Sequence, residues 1–192
     1  CAHHRPGLAE VRPDTLIYNG ALTYSANYDA MRTFLAEIYP LIKRQNPAVT
    51  VSITGSTKGV DLTGLRLDDS VRLTGYVEDI RLPVAGSAVC VVPLRQGGGT
   101  RLKILEAMAL GTPVVATSKG AEGLEVVDGE HLLIADTPAA FAEAVGRVLR
   151  DPALRARLSV NARALVEAKY DWPAIGAQFV ELVERAIRAF VA

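Results

Sequence analysis

The chain has 192 residues, 49% of them hydrophobic and 22% charged, and 21 basic side chains balance 21 acidic ones to a formal charge of zero. Such a length supports one good core and a single domain, and the charge balance excludes the basic excess that a nucleic acid or an anionic membrane surface selects. The apolar runs fall far short of the roughly 20 residues of a membrane helix, so neither a nucleic-acid partner nor a membrane span is expected.

Residues 1–14 carry Pro6 and Pro13 without periodicity and read as an extended arm or linker ahead of one domain over 15–192. No charged-then-apolar leader is present, and a chain that opens on Cys1 rather than Met is expected to start inside a longer protein. Cys90 falls in an apolar run as a small core residue, so the two cysteines predict no structural disulfide and a reducing compartment. His3 and His4 lack a partner at metal-ligand spacing and read as a frayed terminus.

Leu16–Asn19 is a short strand stopped by Gly20. Met31, Phe34, Leu35, Ile38, Leu41 and Ile42 then recur at helical spacing after a cap at Ser25 or Asn27, giving a helix to about Gln45 that bends or restarts at Pro40. Val49–Thr54 and Val71–Thr74 are strands closed by Gly55 and Gly75, with a helical turn near Asp61–Leu65 between them. A short helix over Glu78–Ala85 follows.

The stretch Val89–Ser118, VCVVPLRQGGGTRLKILEAMALGTPVVATS, reads as strand, glycine loop, helix and strand. Its loop, Gly97, Gly98, Gly99 and Thr100, delivers the chain to a helix starting near Arg101, where free backbone amides and the positive end of the dipole attract anions, phosphate above all. Arg101 and Lys103 add two cations in the first turn. Lys103 and Glu106 share one helix face, while Leu102, Leu105, Met108 and Ala109 are expected to face the core. The same residues also fit an exposed Lys–Glu pair after a plain glycine turn.

Beyond Ser118 come a loop with a Gly129 turn and a strand, Leu132–Ala135. A helix over Pro138–Arg150 is capped by Asp136 or Thr137, a second runs from Asp151 and Pro152 to about Lys169, and an amphipathic helix covers Trp172–Ala189. Strands and helices alternate about six times, which predicts an α/β, Rossmann-like three-layer domain: a parallel sheet with helices on both faces. Ligands of such sheets bind beyond the carboxyl ends of the strands. Gly20, Gly55 and Gly97–Gly99 should meet there, with Gly75 nearby.

The segments NGALTYSANYDA, VRLTGYVEDI, VVPLRQGGGTRLKILEAMALGTPVVAT, GAEGL and NARALVEAKYDW resemble the C-terminal, donor-binding half of the GT-B fold glycosyltransferases of family 4, within it a bacterial polysaccharide-type subgroup. The resemblance implies a nucleoside-diphosphate-sugar donor (UDP-, GDP- or ADP-linked), transfer with retention, no cofactor or essential metal, and a cytoplasmic location. It places Glu106 on the donor ribose, the amides of Gly97–Thr100 on the diphosphate, and Gly75, Tyr76 and Val77 beside the base, with Gly20 at the first strand exit. Two departures stand out. Gly98 occupies the position where the family pattern has a sugar-contacting Glu, and the loop after Gly20 lacks the family's Arg and Lys, so Arg101 and Lys103 are expected to supply that charge.

The resemblance further implies an N-terminal GT-B domain, absent from this sequence, that carries the catalytic His and the site for a saccharide or lipid-linked acceptor. This chain alone is then expected to be inactive. His131 reads as part of a surface turn, Glu122 and Glu125 as a solvated loop or one approaching the sugar, and Asp171 and Trp172 as cap and packing anchor. Other readings of the same architecture are a sugar-nucleotide epimerase and a non-catalytic nucleotide-sugar binding module. A dinucleotide oxidoreductase is disfavoured, because G-x-G-x-x-G is absent.

Overall fold

The structure, a computed structural model, describes residues 1 and 3–191. In chain order the elements are β1 (Arg12–Asn19), α1 (Ser25–Thr33), a π-helical segment (Phe34–Ile38), α2 (Tyr39–Gln45), β2 (Thr50–Thr54), β3 (Val71–Gly75), α3 (Arg81–Ala85), β4 (Ser87–Val92), α4 (Leu102–Ala109), β5 (Val114–Ala116), α5 (Ser118–Ala121), β6 (Leu133–Ile134), α6 (Pro138–Arg150), α7 (Pro152–Lys169) and α8 (Trp172–Val191). The strands form one parallel sheet in the order β3-β2-β1-β4-β5-β6. β4 is buried along its whole length, which is why its sequence is continuously apolar rather than alternating.

One helical layer holds α1, α2 and α6, where Phe141 meets Phe34 edge-on at 6.2 Å. The other holds α3, α4 and α7. This is the expected three-layer α/β architecture, and the order in which the strands are laid down reverses between β1 and β4, where a crevice opens at the carboxyl edge.

Several local expectations are corrected. β1 begins at Arg12, so the last residues of the 1–14 segment belong to the sheet; Asp14 takes φ 55° and the β1–β4 register slips between Arg12 and Leu16. The rest of that segment is not free either, since Cys1, Leu8 and Ala9 pack on the core and Arg163 donates to the His4 carbonyl. The long first helix breaks into a π-segment just before Pro40. Pro40 has no amide for the Ala36 carbonyl, and Arg66 donates to that carbonyl at 3.4 Å instead. At 61–65 the chain makes one hydrogen-bonded turn and no helix: the Leu65 amide donates to the Leu62 carbonyl at 3.0 Å, and Asp61 accepts from the Thr63 amide and hydroxyl. On α4 Met108 and Ala109 are buried as expected, joined by Ile104 and Ala107, whereas Leu102 is 61% exposed. Thr137 and Asp151 cap α6 and α7 as expected. No described helix is long and apolar enough to cross a membrane.

Candidate functional site

At the carboxyl edge, between β1 and β4, lies a cleft of about 210 Å³. Gly20, Tyr24 and Asn27 come from the chain after β1; Gln96, Gly97, Gly98, Thr100, Arg101 and Lys103 come from the β4–α4 loop and the first turn of α4. The loop runs from Pro93 to Arg101, with Gly97 at φ 100° and Gly99 at φ 89°, a backbone that side chains resist. Among the described residues no backbone carbonyl accepts from the amides of Gly97, Gly98, Gly99 or Thr100. A Cβ at Gly98 or Gly99 would meet nothing within 4 Å, so that side of the loop is open.

Lys103 enters from α4 and passes close beneath Gly20, where a Cβ would lie 2.8 Å from its Nζ and 3.0 Å from the Asn27 side chain. Its ammonium donates to the Tyr18 hydroxyl at 2.8 Å and to Asn27 Oδ1 at 3.0 Å, and stands 4.2 Å from the Tyr18 ring centroid. The Tyr18 hydroxyl donates to Asn27 Oδ1 at 2.6 Å, and Asn27 Nδ2 donates to the Ala21 carbonyl. Asn27 therefore serves the cleft and not, as its sequence position suggested, the start of α1. Among the described residues no carboxylate pairs with Lys103. Burial pushes the ammonium down to about 8, with Arg101 adding to the effect and Cys90 and Glu106 opposing it. Burial likewise pushes the Tyr18 phenol far up, leaving it a neutral relay.

One turn along α4, half-buried Glu106 accepts from Asn19 Nδ2 at 3.1 Å. Its carboxyl is raised by burial, against the opposing pull of the Asn19 hydrogen bond and of Lys103. Cys90 lies beneath, its thiol 3.8 Å from Asn19 Oδ1 and pushed up to about 12 by burial, so it is neither a nucleophile nor a charge at neutral pH.

Arg101 behaves differently from Lys103. It is 5% exposed, and it donates to the carbonyls of Gly98 and Gly97 and, at 3.0 Å, to Glu122 from the turn after α5. Lys119 also pairs with Glu122. The two cations expected to act alike are thus one paired with an exposed carboxylate and one that, among the described residues, forms no salt bridge. Arg101 Nε is the one buried side-chain polar atom without a partner among the described residues.

Of the expected site residues, Gly20, Gly97, Gly98, Thr100, Arg101 and Lys103 line the cleft, Gly99 lies within its loop, and Glu106 reaches the residue before Gly20. Gly75, Tyr76 and Val77 leave β3, two strands from β1, and do not line it; Tyr76 is 82% exposed. Glu125 pairs with Lys169. His131 accepts the Val127 amide through Nδ1 inside its turn. Tyr18, Asn19 and Asn27 are contributors that sequence reasoning passed over, and the one available signal was their clustering around Gly20.

A family model described as glycosyl transferases group 1 matches residues 13–151, which include every residue of this cleft. The chain belongs to that family. Phosphatidyl-myo-inositol mannosyltransferase of Mycobacterium tuberculosis is 30% identical over 174 residues, 84% of this chain and 46% of the relative. Among solved structures, Anabaena Alr3699/HepE in complex with UDP and glucose superposes with a TM-score of 0.74 at 20% identity, covering 90% of this chain and 48% of that one. The C-terminal domain of a glycosyl transferase group 1 protein (LpcC) from Francisella tularensis gives 0.66 at 19% identity, covering 88% of this chain and 96% of that domain. The fold is the C-terminal domain of a GT-B glycosyltransferase, and the chain spans less than half the length of the mannosyltransferase. Within the family match, α7 and α8 lie beyond the matched segment.

Proposed function

We propose that this domain binds the diphosphate of a nucleotide-sugar donor in the cleft and serves retaining glycosyl transfer to a saccharide or lipid-linked acceptor in the cytoplasm. The observation that carries the reading is Lys103: a buried ammonium that, among the described residues, forms no salt bridge with a carboxylate, beside a glycine loop whose amides there find no backbone acceptor. Burying an unpaired charge is costly, and groups held in that state gather at functional sites. A diphosphate would supply the missing negative charge and accept from the loop amides and the first turn of α4.

In this reading Gly97–Thr100 take the phosphates, Lys103 neutralises them across Gly20, and Glu106 accepts from the ribose hydroxyls. Gly75, Tyr76 and Val77 flank the base from the β3 exit, and the donor needs no cofactor or metal. The relatives' names support glycosyl transfer, and the Anabaena structure holds UDP and glucose. The acceptor site and catalytic His belong to a second, N-terminal domain, and the chain by itself is inactive.

The test is calorimetric titration of the chain with UDP, GDP, ADP and inorganic diphosphate, repeated with Glu106→Ala. One nucleotide is expected to bind best, and Glu106→Ala should weaken it roughly tenfold through the lost ribose contacts while inorganic diphosphate binds as before. Failure of all four ligands to bind would sink the reading.

A further inference from the structure

We propose that Arg101 is a positioning residue: locked by Glu122, its guanidinium grips the Gly97 and Gly98 carbonyls and so turns the Gly98 and Gly99 amides out toward the diphosphate. The inference rests on the donor reading above and assigns how its phosphate loop is held. Gly97 and Gly99 sit at positive φ, and nothing packs where side chains at 98 and 99 would be. Such a loop has maximal freedom to lose, and ordering it on binding reduces affinity.

The side-chain hydrogen bonds that fix its carbonyls come from Arg101, at 3.2 Å to Gly98 and 3.4 Å to Gly97. Peptide units are planar and trans, so a carbonyl drawn toward the guanidinium sends the amide of the following residue the opposite way. The planar fork suits this task, because several fixed donors act at once, which a single ammonium does not reproduce. Glu122 completes the grip at 3.0 Å while also pairing with Lys119. Arg101 therefore orders the loop while Lys103 supplies the positive charge.

Arg101→Lys and Glu122→Ala separate this role from direct phosphate binding. Arg101→Lys keeps the charge and loses the fork; it is expected to weaken nucleoside diphosphate binding roughly tenfold. Glu122→Ala deletes an exposed negative charge beside the cleft, which by electrostatics alone would tighten anion binding; the latch requires that it weaken binding, by roughly threefold or more. A near-normal Arg101→Lys together with a tighter Glu122→Ala would overturn the proposal.

A second readout needs no ligand. Backbone 15N order parameters of Gly97–Thr100 should fall from about 0.85 toward 0.6 in both variants of the free protein, and unchanged values in both would also overturn it. A wild-type chain that binds no nucleotide while the variants loosen the loop would remove the donor reading and leave the latch standing.

Discussion

At its N-terminal end α4 receives the chain from Gly97–Gly99, and at its C-terminal end it hands over to Gly111, which also sits at positive φ, 77°. Gly111 closes the helix on itself: its amide donates to the Met108 carbonyl, the Thr112 amide donates to the Ala107 carbonyl, and the Ser159 hydroxyl caps the Gly111 carbonyl at 2.7 Å. Pro6 covers it, 3.0 Å from where a Cβ would stand. The larger concavity of the molecule is at this end, about 670 Å³ against 210 Å³. Yet its polar lining is already used: Thr112 donates to Val84, and Arg155 to the carbonyls of Val148 and Leu149. What marks the smaller cleft is unspent capacity, in amides without acceptors and a cation without an anion. Volume alone points to the other end.

The sharpest way to break this contrast is Lys103→Met. Nucleoside diphosphate affinity is expected to fall roughly 100-fold, the scale of a charge-assisted contact in a desolvated site, measured by calorimetry. Stability should move the other way. Burial holds the folded-state value at about 8 against the ordinary 10.5, so the unfolded chain binds this proton more tightly. The penalty is present in full below pH 8, shrinks as pH rises from 8 to 10.5, and amounts to about 3 kcal/mol. Removing the charge should stabilise the free protein at pH 7 by about 1–3 kcal/mol, seen in urea unfolding. A variant that lost both binding and stability would show Lys103 to be an ordinary structural residue.

The same group predicts a pH dependence. An anion bound to Lys103 raises its pKa, so binding takes up a proton once the free protein has lost it. Affinity should be flat below pH 8 and then weaken by about tenfold per pH unit, with Lys103→Met abolishing the slope. A wild-type profile flat to pH 9.5 would refute the assignment of this ammonium to the ligand.

Much of this was legible in the chain. The strands read directly as short apolar runs with glycine stops, and the glycine loop leading into α4 named its own end of the sheet. The first residues of β1 did not, because Pro13 and Asp14 look like a linker, and pairing of Arg12 with Ser87 is what makes them strand. Tyr18 was read only as part of a strand and Asn27 as a cap, since a polar residue inside an element shows its use through partners far along the chain. The charges of Arg101 and Lys103 were plain, but the fates that distinguish them were not: Glu122 is 21 residues from Arg101, and Tyr18 is 85 from Lys103.

A smaller perturbation compares glycines rather than charges. Gly20→Ala adds a Cβ 2.8 Å from Lys103 Nζ, the mobile end of a side chain, and Gly20 has no positive φ to strain. The lysine can yield, but Asn27 at 3.0 Å and the buried Tyr18 ring at 3.1 Å must give as well, so the main effect should appear in binding, as a roughly tenfold loss, beside a modest loss of stability. Melting temperature should fall by roughly 2–4 °C, the scale of about 1 kcal/mol in a domain of this size.

Gly111→Ala is the opposite case and should change binding least of all. Here the methyl meets Pro6 at 3.0 Å, and the backbone must hold an alanine at φ 77°. A left-handed residue other than glycine costs about 1–2 kcal/mol, and a domain of this size loses about 2–4 °C in melting temperature per kcal/mol. Scanning calorimetry should therefore show a fall of roughly 3–6 °C, while nucleoside diphosphate titration below that transition gives the wild-type affinity. If Gly111→Ala instead weakened the nucleotide as much as Gly20→Ala does, the two ends of α4 would be coupled through the helix, and treating one as open to ligand and the other as a closed cap would fail.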